Sequence, residues 1–302
     1  MTNRLKGEKS GNSEAGSGTR QDVPAIELRN IDFAYEDKKN LDGINFKVDN
    51  GEIKVILSSS GGGKSTILKL ILGLMKPDAG EIFVDGQEIT RLDEDELQHV
   101  RDNIGMVFQE GALFDSLSVY DNVAYRLNER DVPEEEIEAE VLRLLRFVNL
   151  EKEIEKLPSE LSGGMQKRVG IARALVGSPK TVLFDEPTAF LDPITCGTIC
   201  DLIIKLRDVE NVACVVVTHE MNVVKHVTSE RAVVQESGRV TMENGIEPLS
   251  LANTSILMLK DGRVIFDGNS RDFAYSDDPY IRNFIHGTEV DPTPKHVAAS
   301  SS

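Results

Sequence analysis

The chain has 302 residues, of which 40% are hydrophobic, so it is long enough to bury one large core or two modest ones. Its formal net charge of −17 argues against a nucleic-acid-binding surface, because such a surface needs lysine and arginine to displace counterions from phosphates. No apolar run reaches the roughly 18 to 20 residues that a membrane-spanning helix needs, so we expect any membrane role to come through a partner protein.

Apolar and polar segments alternate along most of the chain. We expect residues 1–23, which are rich in Gly, Ser, Asn and charge, to be disordered, and a globular domain to span residues 24–290. The polar tail 291–302 is expected to be flexible. Apolar runs typical of strands occur at Ile26 to Phe33, Gly43 to Val48, Glu52 to Leu57, Glu81 to Val84 and Ile104 to Phe108.

A helical pattern follows between about residues 110 and 177. Within it, Pro133 and the three glutamates after it favour a helix start, since proline suits the first turn and carboxylates favour the positive end. Two further apolar runs, Thr181 to Phe184 and Val212 to Val217, are separated by a helical segment from Pro193 to Arg207. This alternation predicts an α/β fold with a mostly parallel sheet covered by helices.

The apolar run that ends at Leu57 leads into a glycine-rich turn and then into an apolar helix from Ile67 to Leu74. Backbone N–H groups of such a turn can surround β- and γ-phosphates, while Lys64 would neutralise phosphate charge and the Ser65 hydroxyl would bind Mg²⁺. Ser58 replaces the motif's first glycine, which is tolerated if the position needs no positive φ. We therefore predict a phosphate-binding loop (P-loop), and not a chance Ser/Gly linker, formed by Ser58, Ser59, Ser60, Gly61, Gly62, Gly63, Lys64, Ser65 and Thr66.

Two adjacent carboxylates, Asp185 and Glu186, follow the apolar run that ends at Phe184. Phosphoryl transfer to water needs one group on the metal side and another to orient the attacking water. We expect Asp185 to hold Mg²⁺ through water and Glu186 to polarise the nucleophile; a lone acidic pair would be surface charge, but this one follows a P-loop. His219 closes the strand that starts at Val212, where it would contact the γ-phosphate or cap the next helix.

A second helix start also has the character of an anion site, since Ser162 can cap it and Gly163 and Gly164 leave free N–H groups. With Leu161 before it and Met165-Gln166 after it, this segment resembles the signature motif of the ATP-binding-cassette (ABC) ATPases. In that family the signature completes the nucleotide site of a second copy across a head-to-tail dimer. The resemblance spans about residues 25–270 and includes, in the family's order, the P-loop, Gln109, the signature, Asp185-Glu186, Asp192 and His219.

The resemblance implies a P-loop NTPase fold of the ABC type: a RecA-like sheet, an N-terminal antiparallel β subdomain and an inserted helical subdomain at about 110–177. It also implies ATP and Mg²⁺ as cofactors and a homodimer with two composite sites. By the same resemblance Tyr35 stacks on adenine, although it could instead be a core tyrosine of its strand. Gln109 links the γ-phosphate to a membrane partner and joins Ser65 and Asp185 at the metal. The implied catalytic residues are Lys64, Gln109, Glu186 and His219, and the implied nucleotide contacts of the signature half are Ser162, Gly163, Gly164, Gln166 and Asp192.

One position departs from the family pattern. Phe190 stands where the family usually has a small residue, two positions before Asp192, which the resemblance assigns to the junction between the two halves of the dimer. The departure bears on the dimer contact and not on the identity of the site.

Three stretches, residues 108–125, 161–175 and 184–195, look like the Mla/Mce-associated ATPases of bacterial lipid trafficking. In that subgroup a cytosolic ATPase dimer drives a permease with Mce-domain partners and moves phospholipids or related lipids between the inner membrane and the cell envelope. The resemblance thus implies an integral-membrane permease and an Mce-domain lipid-binding protein as partners, at the cytoplasmic face of the inner membrane. The alternatives are the ATPase of an ABC solute importer and a soluble ABC-type regulatory ATPase.

Two regions have more than one interpretation. Phe114, Leu117 and Tyr120 either contact the permease or pack inside the helical subdomain. Residues 228–251 form an insertion relative to the family. It contains a hairpin pattern around Gly238, and it either binds a regulator or is a surface excursion.

Overall fold

The computed structural model of the chain describes residues 23–36, 38–59, 61–130, 132–235, 237–244 and 253–287. The expectations for residues 1–22, for Ser60, for the end of the insertion from residue 245 and for the tail 291–302 lie outside the described residues. Within the described ranges, none of the helices is both long and apolar enough to cross a membrane.

The strands of the described residues form three sheets. The central sheet has the order β12-β11-β3-β8-β7-β6, in which β12 is antiparallel to β11 and the other neighbours are parallel. An antiparallel sheet has the order β2-β1-β4-β5, and β9 pairs with β10 in a hairpin. The strands are β1 (Ile26–Tyr35), β2 (Lys38–Val48), β3 (Ile53–Leu57), β4 (Ala79–Val84), β5 (Gln87–Glu88), β6 (Ile104–Val107), β7 (Thr181–Asp185), β8 (Ala213–Thr218), β9 (Glu230–Val234), β10 (Val240–Asn244), β11 (Thr254–Lys260) and β12 (Arg263–Asn269).

Helices cover the central sheet and supply the inserted helical layer. In that layer the first turn of one helix, at Glu134, is acidic and exposed, while its apolar stripe at Ile137, Val141 and Leu144 is buried. The helices are α1 (Lys64–Ile71), α2 (Glu94–Arg101), α3 (Val119–Asn128), α4 (Glu134–Phe147), α5 (Gly163–Ala174), α6 (Pro193–Asp208), α7 (Met221–Ser229), α8 (Ser270–Ala274) and α9 (Pro279–His286).

Alternate residues of β3 face two separate cores. Val55 and Leu57 belong to the core that contains α3 to α6, whereas Ile56 belongs to the core with α1 and the antiparallel sheet. All three are fully buried, as expected of a parallel strand covered on both faces. This double coverage explains why the strand reads as a continuous apolar run and not as an alternation.

The predicted mostly parallel, helix-covered sheet and the N-terminal antiparallel sheet are confirmed. Several element limits differ from the predicted ones, and the cause is evident for two of them. The helix after the P-loop begins at Lys64 and not at Ile67, because Gly63, with a φ of 92°, turns the chain directly into it. Strand β2 begins at Lys38 and not at Gly43, because Lys38 pairs with Tyr35 across the hairpin from β1.

Asn122 fixes the segment that follows Gln109. Its side chain is fully buried; Oδ1 accepts a hydrogen bond from Phe114 N (2.8 Å) and Nδ2 donates to Phe114 O (3.1 Å) and Leu117 O (3.0 Å). Tyr120 packs against the core, whereas Phe114 is held in place by its backbone and stays 42% exposed.

A buried arginine attaches the insertion to the body of the protein. Arg207 on α6 is 3% exposed and donates to Thr254 Oγ1 (2.6 Å), to Val227 O (3.1 Å) and to Glu230 O (3.1 Å). The neighbouring Asp208 accepts from the backbone of β9. The described part of the insertion is therefore docked on α6.

Candidate nucleotide site

Four segments that carry predicted nucleotide-site residues leave the central sheet at one edge. The order β3-β8-β7-β6 puts side by side the strand ends that lead to the P-loop, to His219, to Asp185–Glu186 and to Gln109. Leu57, at the end of β3, lies opposite Thr218, at the end of β8. Because the carboxyl ends of parallel strands meet at the same edge, residues far apart in sequence come together there.

The P-loop borders an open cleft of about 440 Å³. Gly61 and Gly63 have φ values of 77° and 92°, in the left-handed region that favours glycine. A Cβ at Gly63 would also lie 2.6 Å from Leu41 Cδ2. The turn needs these two glycines to lead directly into α1, whose positive end then points at the cleft. The lining residues are Asn40, Gly61, Gly62, Gly63, Lys64, Ser65, Thr66, Gln109, Glu186 and His219.

Ser58, the residue in place of the motif's first glycine, fills the inside of the turn. It is fully buried, and its backbone is outside the left-handed region. Its hydroxyl donates to Ser59 O (2.8 Å), and a Cβ at Gly62 would lie only 2.4 Å from Ser58 Oγ. The turn therefore accommodates the serine because the residue opposite it inside the loop is glycine.

Lys64 lies at the floor of the cleft and is 8% exposed. Its Nζ donates to Ser58 O (2.9 Å) and to Ser58 Oγ (3.2 Å), and it lies 3.6 Å from Glu186 Oε1. Burial lowers the pKa of Lys64, while the negative charge of Glu186 opposes that shift. An ammonium group held mainly by neutral oxygens is suited to bind phosphate oxygens.

Ser65 and Asp185 form an oxygen pair beside the P-loop. Ser65 Oγ donates to Asp185 Oδ1 at 3.1 Å. Burial raises the pKa of Asp185, and the hydrogen bond from Ser65 partly offsets this. A hydroxyl and a carboxylate are the hard oxygen ligands that Mg²⁺ prefers, so the pair fits this ion. Gln109 lies exposed at the edge of the same cleft.

Glu186 and His219 are in contact with each other in the lining of the cleft. Both carboxylate oxygens of Glu186 lie 3.0 Å from His219 Nδ1. An ionised carboxylate only accepts hydrogen bonds, so Nδ1 carries the proton in this contact. The backbone of Glu186 has a φ of 45°, and its N–H donates to Val217 O on the adjacent strand (3.0 Å). This arrangement holds a carboxylate with defined orientation next to Lys64, where it can accept a proton from water.

Asn40 lines the cleft, although no sequence motif pointed to it. Its Oδ1 is buried and has no hydrogen-bond partner among the described residues. Such orphaned atoms are rare, and a polar ligand in the cleft would supply the missing bond, so the site fits a nucleotide. Asn40 reaches the P-loop only because β2 pairs with β1, and a Cβ at Gly63 would lie 3.4 Å from its Oδ1.

The signature residues do not line the cleft of their own chain. Ser162 caps α5 by accepting from Met165 N (3.3 Å), and both Ser162 and Gly163 are exposed, whereas Gly164 is buried. Gln166 Nε2 donates to a backbone carbonyl before the helix, at 2.8 Å. The structure thus leaves Ser162 and Gly163 exposed on the surface at the start of α5.

Tyr35 and Asp192 also lie outside the cleft lining. Tyr35 is 44% exposed; its hydroxyl donates to Met75 Sδ (3.3 Å) and its ring packs edge-on against Phe33. Asp192 caps α6 by accepting from Ile194 N (3.0 Å) and from the next backbone N–H.

Comparisons with known proteins agree with this geometry. A family model described as ABC transporter matches residues 41–189. The chain is 37% identical over 268 residues to the intermembrane phospholipid transport system ATP-binding protein MlaF of Haemophilus influenzae, a match covering 88% of this chain and 92% of that protein. It is 41% identical over 229 residues to the methionine import ATP-binding protein MetN of Carboxydothermus hydrogenoformans, covering 75% and 68%.

Two solved structures share the fold. CbiO1 from Clostridium perfringens, part of the ABC transporter complex CbiONQ, superposes with a TM-score of 0.71 at 30% identity and covers 84% of this chain and 92% of its own. A bacterial ABC transporter cassette with a dimeric structure gives a TM-score of 0.68 at 33% identity and covers 82% and 99%.

The sheet order and the P-loop cleft define an ATP-hydrolysing P-loop protein. The chain belongs to the ATP-binding subunits of ABC transporters. The predicted family and the predicted ATPase activity are therefore confirmed. ABC cassettes function as dimers with a membrane permease.

We expect Gly62→Ala to weaken ATP binding about tenfold or more, because overpacking a tight site costs about 1 to 3 kcal/mol. The added Cβ meets Ser58 Oγ at 2.4 Å. The double variant Ser58→Gly/Gly62→Ala should recover part of the affinity, with Ser58→Gly alone as the control. Equilibrium titration with a fluorescent ATP analogue measures all three. Equal weakening in the single Gly62→Ala variant and in the double variant would contradict the steric explanation.

We expect Asp185→Asn to raise the melting temperature of the ligand-free chain by about 2 °C at pH 7.5. Burial raises the pKa of Asp185 above its unfolded value, so ionisation opposes folding increasingly as the pH rises from the ordinary pKa to the raised one, and the penalty is fully present above the raised pKa. The gain should vanish below the ordinary pKa of an aspartate. ATP hydrolysis should fall about 10- to 100-fold, as for a group that acts on a metal through water. The exposed Asp115→Asn is the matched control for thermal unfolding; an Asp185→Asn chain that melts lower at pH 7.5 would refute the argument.

Proposed function

We propose that the chain is the ATPase subunit of a bacterial transporter that moves phospholipids or related lipids between the inner membrane and the cell envelope. The observation that carries this proposal is the match to MlaF, which extends over 268 residues and 92% of that protein. The match to MetN has a higher identity but extends over 229 residues. The longer match also covers almost the whole of MlaF, whereas the match to MetN covers 68% of that protein.

In this proposal the P-loop N–H groups and Lys64 bind the phosphates of ATP. Water attacks the γ-phosphate, the bond to ADP breaks, and Glu186 accepts the proton from the water. His219 holds the Glu186 carboxylate through Nδ1, which leaves its Nε2 available to the phosphate side. Ser65 and Asp185, with Gln109 at the edge, would hold Mg²⁺, which neutralises phosphate charge when bound.

The composite homodimer is part of the proposal, and the surface of the chain supports it. Ser162 and Gly163 are exposed at the start of α5 and do not reach the cleft of their own chain. Phe190 and Ile194 are 89% and 84% exposed on either side of Asp192. Large apolar side chains at this level of exposure are suited to contact a second copy, whose cleft would receive the signature. Tyr35 would stack on the adenine at the outer end of that cleft.

A second surface would receive the permease. Phe108, Phe114 and Tyr125 are each more than two-fifths exposed, and the rings of Phe114 and Tyr125 are 4.7 Å apart. Arg173 packs beside this aromatic pair. It donates to backbone carbonyls of the segment after Gln109 and lies 5.8 Å from the Phe114 ring. The proposal therefore gives the chain a peripheral position at the cytoplasmic face of the inner membrane, with an Mce-domain protein as a further partner of the permease.

The ATPase of a solute importer is the second candidate, favoured by several methionine-import relatives at 41 to 42% identity. The chain covers between 62 and 68% of the length of those relatives. Both candidates use the same chemistry, so the partner proteins distinguish them.

We expect Glu186→Gln protein to double its mass in ATP and Mg²⁺, because removing the proton acceptor leaves ATP intact between the two copies. Light scattering measures the mass. Adding Phe190→Glu in this background should prevent the doubling, since it charges the exposed apolar surface beside Asp192. Tyr275→Glu, at a residue that is 74% exposed elsewhere, is the matched control and should leave it intact. A Glu186→Gln chain that stays monomeric would sink the homodimer proposal.

Mass spectrometry of the proteins and lipids that copurify with the tagged chain from gently solubilised membranes tests the transported class. We expect a multi-span permease, an Mce-domain protein and enriched phospholipid. Phe114→Asp should lose all three, whereas the exposed Tyr275→Asp should keep them. A permease recovered with a solute-binding protein and without enriched lipid would replace the lipid substrate with a solute.

A further inference from the structure

Lys167 on α5 is a buried lysine that does not line the ATP cleft. It is 6% exposed, and its Nζ donates to Ala189 O (2.8 Å) and to Glu186 O (3.4 Å). Among the hydrogen bonds and ion pairs of the described residues, the partners of Lys167 Nζ are these two carbonyls, while Cys196, Glu220 and Glu186 act on its charge from farther away. A buried cation is unfavourable without such bonds, and the lysine is therefore fixed relative to the loop that follows β7.

The loop from Glu186 to Asp192 depends on support from outside. Glu186 and Phe190 have φ values of 45° and 64°, in a region that side chains with a Cβ rarely adopt. Thr188 Oγ1 is buried, and within the described residues it has no hydrogen-bond partner. The loop carries the proton acceptor at one end and the cap of α6 at the other, so its conformation sets the position of both.

The start of α5 is also locked to the start of α6. A Cβ at Gly164 would lie 2.2 Å from Thr195 Cγ2, and the Thr195 hydroxyl in turn donates to Asp192. The signature helix therefore contacts the loop directly through Lys167, and indirectly at Asp192 through Thr195, against which Gly164 packs. The signature helix and the loop that holds Glu186 are therefore joined by packing and hydrogen bonds.

We propose that Lys167 couples the two ATP sites of the dimer. The proposal rests on the head-to-tail homodimer described above, in which the signature of one copy completes the site of its partner. Within one chain, Lys167 then joins the helix that touches the partner's ATP to the carbonyl of that chain's own Glu186. Engagement of the signature by ATP in one site is transmitted as a change in the position of Glu186 in the other. Because such coupling is reciprocal, the loop after β7 in one copy also sets how the signature of that copy engages the ATP of its partner. Lys167 is a positioning residue, since it touches neither ATP nor water.

Lys167→Met removes the ammonium group and keeps a chain of similar length, so packing along the stem is preserved. Lys167→Arg retains donors for the two carbonyls and serves as the rescue variant. Arg168→Met is the matched control: Arg168 lies on the same helix and also donates to carbonyls, Val148 O (2.9 Å) and Asn149 O (3.3 Å), but these are in the helical layer.

The test uses two full-length copies joined by a flexible linker. The second copy carries Glu186→Gln, so turnover takes place at Glu186 of the first copy, and the carbonyl that Lys167 contacts is retained in both. Lys167→Met is then placed in the first copy or in the second copy, and kcat and KM for ATP are measured. We expect kcat to fall about tenfold for either placement, because Lys167 of the first copy positions the active Glu186 and Lys167 of the second copy holds the signature that completes the same site. The KM should change by less than about threefold, since Lys167 does not touch ATP.

A role confined to supporting the loop would lower kcat only when Lys167→Met is in the first copy. That result would overturn the coupling, as would an unchanged kcat for both placements. Lys167→Arg should restore at least about half of the lost activity, and Arg168→Met should leave kcat unchanged in both positions. Thermal unfolding of each linked protein shows whether a lost activity reflects unfolding. If Arg168→Met lowers kcat and the melting temperature as much as Lys167→Met does, the effect is not specific to Lys167, and the coupling is contradicted.

Ser162→Arg in the second copy separates failure of the coupling from failure of the dimer. If the copies are arranged head to tail, this variant blocks turnover at Glu186 of the first copy. Turnover that survives Ser162→Arg would overturn the homodimer and the coupling together. Turnover lost with Ser162→Arg but unaffected by Lys167→Met in the second copy would overturn the coupling alone.

Discussion

The parallel pairing of β3 with β8, and of β8 with β7, is the constraint on which the ATP cleft depends. Ser65 and Asp185 are 120 residues apart in sequence, yet their side chains are joined by a hydrogen bond because their strands end at the same edge. The pairing holds because the strands are covered on both faces, by α3 to α6 on one side and by α1 with the antiparallel sheet on the other. Burial of apolar surface on two faces thus positions the catalytic groups.

The cleft binds an anion although the chain as a whole is strongly acidic. Local groups make this feasible: the P-loop N–H groups, the positive end of α1 and the ammonium group of Lys64. The same burial lowers the pKa of Lys64 and raises that of Asp185, so each charge is disfavoured in the free protein. Ligands of opposite charge relieve both penalties, which ties the stability of the site to what it binds.

The predicted nucleotide-site residues fall into two groups, one that lines the cleft and one that lies on the surface away from it. The P-loop, Glu186 and His219 converge on one cleft, whereas Ser162 and Gly163 lie on the surface at the start of α5. In the proposed head-to-tail dimer this division makes two copies necessary, because each of the two sites takes its P-loop half from one copy and its signature half from the other. The contacts between α5 and the loop after β7 then link the halves inside one chain.

The sequence by itself determined those functional motifs whose residues are neighbours in the chain. The P-loop from Ser58 to Thr66, the acidic pair at Asp185 and the signature at Ser162 could be read because each motif combines neighbouring residues with local backbone geometry. Only the tertiary structure decided the strand order, the approach of Asn40 to the P-loop and the bonds from Lys167 to the loop after β7. These features depend on pairing and packing between segments far apart in the chain, for which no local pattern carries a signal.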